Sequence, residues 1–140
     1  MAFTGNVTCN TFKTGLPSAS FNFGLDTFYI ALYTNAATLD YSTTAYTATG
    51  EVVASGYTAG GSPLTVTVTP TTGGSGTVSY VSFSNVSWTG AFTARGALIY
   101  KPGDNGAVCV LDFGSDKTST TTFTVQFPAA TNTSAIIRIA

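Results

Sequence analysis

The chain contains no histidine. That absence removes the usual general base, the Ser-His and Cys-His nucleophile pairs and the commonest transition-metal ligand. Cysteine is almost as scarce. Cys9 and Cys109 are the only two, and without histidine they make no zinc site. Two buried thiols are expected rather than a bridge, with Cys109 sharing one strand face with Ala107 and Leu111. Charge is also thin, at 8% of residues against roughly 25% in ordinary soluble domains. The cations Lys13, Arg95, Lys101, Lys117 and Arg138 are scattered along the chain. Nucleic-acid binding needs cations clustered against phosphates, so no nucleic-acid partner is expected. Long apolar runs are missing too. Stretches such as Ala107 to Leu111 fall far short of a bilayer span, and the opening residues Met1 to Asn6 carry neither a basic stretch nor an apolar core. Neither a membrane nor a secretory signal is expected.

Carboxylates are the remaining route to chemistry, because glycoside hydrolysis needs only two. The six acids are Asp26, Asp40, Glu51, Asp104, Asp112 and Asp116. Asp104 sits in a turn, Asp26 and Asp40 flank strand ends, and Asp112 and Asp116 read as a strand running into a solvated loop. Calcium at Asp104-Asn105-Gly106, or at Asp112 with Asp116, is a weaker reading than the turn in each place. Gly73-Gly74-Ser75-Gly76 lacks the following lysine and the helix of a phosphate cradle and reads as a hairpin turn. No catalytic residue, metal, cofactor or small-molecule substrate is expected.

What the chain has in abundance is threonine, 27 residues of it. A β-branched hydroxyl residue suits the water-facing side of a pleated strand without adding charge. The dominant pattern is strict alternation. It is cleanest at Leu64 to Thr69, where Leu64, Val66 and Val68 alternate with threonines, and at Thr122 to Phe127. Thr27 to Tyr33 is apolar on both faces, so that strand is either covered on both sides or meets a partner. Further strands are expected at Val78 to Phe83, Ala94 to Tyr100, Ala107 to Phe113 and Ala135 to Ile139, with weaker ones at Val7 to Phe12 and Glu51 to Ser55. Pro102-Gly103-Asp104-Asn105-Gly106 is the strongest hairpin signal, pairing the strands on either side of it antiparallel. No stretch carries a convincing helix, although Thr38 to Thr47 has room for one turn capped by Asp40 or Ser42. The expected fold is one all-β domain over residues 1–140, an antiparallel β-sandwich of jelly-roll type.

Aromatic residues outside the clear strands give the positive functional signal. Phe3, Phe12, Phe21, Phe23, Tyr41, Tyr46 and Tyr57 either plug the ends of the sandwich or anchor a partner. Phe3, Phe12, Phe21 and Phe23 are the candidate partner-interface residues. Trp88, beside Val86 and Phe83, reads as core or edge.

Several segments together carry a resemblance. They are Phe28-Tyr29-Ile30-Ala31-Leu32-Tyr33-Thr34, Gly56-Tyr57-Thr58-Ala59-Gly60-Gly61 and Ala94-Arg95-Gly96-Ala97-Leu98-Ile99-Tyr100. Val110-Leu111-Asp112-Phe113-Gly114-Ser115-Asp116-Lys117, Phe123-Thr124-Val125-Gln126-Phe127-Pro128 and the closing Ile136-Ile137-Arg138-Ile139-Ala140 follow in order. From about Asp26 onward the chain resembles small virion proteins of tailed bacteriophages, in particular capsid cement (decoration) proteins of short-tailed phages. The resemblance implies a jelly roll made in the host cytoplasm that forms a homodimer on the outer capsid surface and clamps neighbouring copies of the major capsid protein. The alternative expectation is a receptor- or glycan-binding module on a tail or fibre.

Overall fold

The computed structural model describes residues 3, 5–73 and 76–140. Among them are ten strands and one short helix: β1 (Val7–Thr8), α1 (Asn10–Gly15), β2 (Tyr29–Tyr33), β3 (Ser62–Pro63), β4 (Val66–Gly73), β5 (Val78–Phe83), β6 (Val86–Thr89), β7 (Thr93–Tyr100), β8 (Ala107–Thr118), β9 (Thr122–Val125) and β10 (Ile137–Ile139). The chain is all-β, as the alternation requires, and its sheets are antiparallel and stacked as a sandwich. A five-stranded sheet, in the order β1-β8-β7-β2-β3, faces a three-stranded sheet, β10-β5-β4, and a two-stranded one, β6-β9.

The expected hairpin across Pro102 to Gly106 is present. The Lys101 N–H donates to the Gly106 carbonyl at 2.8 Å, and Asn105 sits at φ 56°, a conformation asparagine tolerates better than most residues. The pairing then slips. Leu98 lies opposite Val110 and Ile99 opposite Cys109, but Tyr100 lies opposite Ala107. This bulge leaves Val108 as the extra residue and reverses the parity of the strand. Ala107 therefore joins one core while Cys109 and Leu111 join the other, which corrects the expectation that all three share a face.

Other departures have equally local reasons. The stretch from Val7 to Phe12 is a strand only at Val7–Thr8, and Phe12 lies in α1. Thr38 to Thr47 forms no helix. Asp40 instead closes a turn, accepting from the Ser42 N–H at 2.8 Å and the Ser42 hydroxyl at 2.5 Å. The strand expected from Leu64 starts at Val66 and runs through Pro70 to Gly73. Proline is tolerated there because β4 is an edge strand and its register shifts between Val68 and Thr71, so no ladder bond is lost. β4 and β5 pair up to Gly73 and Val78; of the turn between them, Gly74 and Ser75 lie outside the described residues. Val86–Thr89, which the alternation left unassigned, is a strand with Val86 and Trp88 inward.

Two cores result, one on each face of the five-stranded sheet. The larger lies inside the sandwich, where Ile30, Leu32, Ala97 and Ile99 meet Val81, Phe83, Trp88, Phe123 and Val125. The smaller lies outside it, where Ala31, Tyr33, Leu98, Tyr100 and Val110 are covered by Phe3, Cys9, Ala37 and Leu39. The doubly apolar β2 is therefore covered on both sides by its own chain.

Cys9 and Cys109 fall on opposite faces of this sheet, Cys9 in the outer core and Cys109 in the inner one. Both are free thiols, buried on either side of the sheet. Burial pushes the thiol of Cys9 up to about 11 and that of Cys109 up to about 12, leaving almost no thiolate at neutral pH. We expect Ellman's reagent to find two thiols in denaturant and to react only slowly with the native protein. A single disulfide in air-oxidised protein would contradict this arrangement.

Candidate interaction surface

The four rings expected at a partner interface are all buried within the chain. Phe3 is 1% exposed, Phe12 3%, Phe21 8% and Phe23 7%. Phe12, Phe21, Phe23 and Phe28 form one stack, with Phe12 edge-on to Phe21 at 5.1 Å and Phe23 flat on Phe28 at 4.5 Å. Such offset and edge-to-face pairs contribute beyond their buried area. Phe3 sits beneath Arg95, whose guanidinium lies 5.9 Å from its ring. The physical reason is geometric. The loop carrying Phe21 and Phe23 and the helix carrying Phe12 close one end of the inner core, while Phe3 covers the outer core, so none of the four is displayed. Trp88 is likewise buried, against Tyr57.

Two of the acids are held in ion pairs. Asp112 meets Arg95 at 3.0 Å and accepts from the N–H groups of Gly114 and Gly5 at 2.8 and 2.9 Å. These bonds, the one from Gly114 foremost, hold its carboxyl below the usual carboxylate range, and they tie the N-terminal segment to β8. Asp26 pairs with Lys101 at 3.0 Å, which lowers its pKa in the same way. Asp116 is exposed and shares none of the bonds of Asp112.

In the sequence Glu51 is one acid among six, yet in the fold it is the centre of a buried polar cluster. Its side chain is buried and accepts the hydroxyls of Tyr46 at 2.6 Å and Tyr57 at 2.7 Å and the N–H of Gly60 at 2.8 Å. The Tyr57 oxygen accepts from the Leu32 N–H at 2.8 Å, while Tyr33 donates to the Thr47 carbonyl and Tyr100 to that of Gly60, each at 2.7 Å. The available signal was the density of tyrosine around residue 51. Among the described residues no buried side-chain polar atom lacks a partner, and these bonds fasten the 45–61 region to β2 and β7.

The hydroxyls of this cluster titrate late. The bond to Glu51 pushes Tyr46 up to about 12, burial pushes Tyr100 to about 12, and burial pushes Tyr33 and Tyr57 higher still. The folded state thus holds these protons more tightly than the unfolded chain, whose tyrosines titrate near about 10. The resulting stability is complete below about pH 10 and is lost as pH rises through the folded values. We expect the tyrosinate absorbance of these four residues to appear together with loss of the β-sheet circular dichroism signal. Smooth ionisation of all seven tyrosines in a protein that remains folded would refute it.

What the surface does present is hydroxyl. Ser87 meets Thr124 at 2.8 Å across β6 and β9, and Thr93 meets Thr118 at 2.7 Å across β7 and β8. Among the described residues, exposed large apolar side chains are few: Leu25, Tyr41, Val53 and Ile139. Ile139 belongs to a groove of about 470 Å³ between α1, the start of β8 and β10. Its walls carry Phe12, Leu16, Val108 and Cys109, with Lys13 and Arg138 at the rim. Among the described residues no helix is long and apolar enough to cross a membrane.

No protein-family model, no curated protein and no solved structure matches this chain.

Proposed function

We propose that this protein is a capsid cement protein that docks as a homodimer on the outer surface of a bacteriophage head and clamps neighbouring major capsid subunits. The observation that supports the reading is the character of the body itself. Two cores back to back on one sheet make a stiff sandwich, and its outer positions are hydroxyl ladders that lie against a partner without large charge desolvation. Such a protein works by mass action: binding the assembled shell and not the free subunits stabilises the shell, and repetition at symmetry-related sites multiplies modest contacts. The glycan-binding reading loses support because Trp88, the one tryptophan, is inside the core and has no face for a sugar. Cryo-electron microscopy of virions tests the proposal. Many symmetry-related copies between shell subunits are expected; a few copies at the tail, or none on the particle, would overturn it.

A further inference from the structure

The inner core is open along one side. There β1, the edge of the five-stranded sheet, and β10, the edge of the three-stranded sheet, border one groove and are not paired with each other. Among the described residues no hydrogen bond joins the outer edge of either strand to another part of the chain as a ladder. The groove between α1, β8 and β10 occupies this seam, and a smaller hollow of about 140 Å³ extends it along β1, sharing Thr8, Cys109 and Ile136. A third hollow of about 300 Å³ lies on the other side of β10 and shares Phe12, Leu16, Ile137 and Ile139 with the first. The three hollows are therefore contiguous, the main groove is lined largely by Phe12, Leu16, Val108, Ile136 and Ile137, and Ile139 is half exposed on it.

Charge is distributed unevenly around this seam. Arg95 and Lys101 are neutralised by Asp112 and Asp26. Lys13 and Arg138 are both exposed, neither forms an ion pair among the described residues, and no aspartate or glutamate is among the residues lining the groove. In a chain this poor in charge, two unopposed cations flanking an apolar floor define what complements it. We propose that the seam binds an extended peptide segment of a partner protein, one that places aliphatic side chains on the floor and a carboxylate against Lys13 or Arg138. An extended backbone uses what the seam offers beyond charge and apolar area, namely unpaired strand edges ready to accept another strand. A fatty-acid anion would satisfy the floor and the cations but leave those edges unmatched. A nucleic acid would match the cations and none of the floor.

The test is an unbiased selection of random peptides on the isolated protein, repeated on the Lys13→Glu/Arg138→Glu double variant. Both positions are exposed, and unchanged circular dichroism will establish that the variant folds. The expected consensus alternates aliphatic residues beside an aspartate or glutamate, and it shifts toward lysine or arginine on the variant. The wild-type consensus peptide should bind the variant about tenfold more weakly or worse and should slow amide exchange at 137–139 and 7–8 in the wild type. Selection without a consensus, a consensus indifferent to the charge reversal, or protection elsewhere on the molecule would each overturn the proposal. So would competition-sensitive binding of a fatty acid or an oligonucleotide in the seam where no peptide binds. The experiment involves no capsid, so its failure leaves the cement reading standing, and failure of that reading leaves the seam to be judged on this result.

Discussion

Replacing Glu51 with alanine is expected to destabilise the protein by about 3–5 kcal/mol, which for a domain of this size is a large share of the total. Three donors converge on that carboxylate: two tyrosine hydroxyls and the Gly60 N–H. Alanine leaves all three without an acceptor in a region where burial has removed water, and each orphaned donor costs about 1–3 kcal/mol. Partial rehydration of the vacated space keeps the sum below the simple total. Glu51→Gln separates shape from charge. Its amide oxygen can still accept from Tyr57 and Gly60, but the NH2 replaces the oxygen that accepted from Tyr46, whose hydroxyl must rotate to accept, and the charge-assisted bonds become neutral, so an intermediate loss of about 1–2 kcal/mol is expected. The same variant should bring the Tyr46 hydroxyl down from about 12, since the bond to Glu51 is the main cause of that elevation. Urea unfolding and tyrosine titration provide the two readouts. An alanine variant within about 1 kcal/mol of wild type would mean that the cluster is ornamental.

Gly61→Ala is expected to cost more than about 4 kcal/mol, in the range where single substitutions are exceptional. Gly61 sits at φ +81°, and a Cβ built there would lie 1.8 Å from the carbonyl oxygen of Ile30 and 2.6 Å from its carbon. The obstacle is backbone of β2, at the point where Ile30 pairs with Ser62 of β3. No side-chain rotamer can relieve it, so β2 or β3 must move, and β2 has core packed on both faces. Gly114→Ala is the matched control. Gly114 has nearly the same φ, +82°, with nothing within 4 Å of its would-be Cβ, and only the conformational penalty of about 1–2 kcal/mol applies. Thermal unfolding of the pair isolates the clash from the dihedral. Equal losses would show that the approach to Ile30 is not what demands glycine.

Much of the architecture is legible residue by residue. Val78–Phe83 is a strand over the expected range, and Thr122–Val125, Thr93–Tyr100 and Ile137–Ile139 differ from expectation only at their ends. The Asn105-Gly106 turn pairs β7 with β8. These features depend on neighbours within a few positions: turn chemistry, β-branching and alternation. Where local reading fails, a longer-range event intervenes. The bulge at Val108 inverts the parity on which Ala107 was placed, and nothing in Ala107-Val108-Cys109 marks it. Val86–Thr89 is short enough that its pairing with β9, not its own pattern, makes it a strand.

The candidate surface was less legible than the fold. An aromatic residue in a loop carries the same letter whether it plugs a core or meets a partner, and Phe3, Phe12, Phe21 and Phe23 all plug. Lys13 and Arg138 are 125 positions apart in sequence, and only the folded chain brings them to one groove.

By itself the sequence determined the class of molecule. With no histidine, few charges and abundant threonine, it specified an all-β chain with a weakly charged, hydroxyl-bearing exterior, because those properties belong to single residues and their immediate alternation. Tertiary structure alone decided that the five-stranded sheet is covered on both faces, that Glu51 is enclosed by tyrosines, and that β1 and β10 leave a seam open between them. Each of these depends on contacts between segments distant in the chain, where no local periodicity can act.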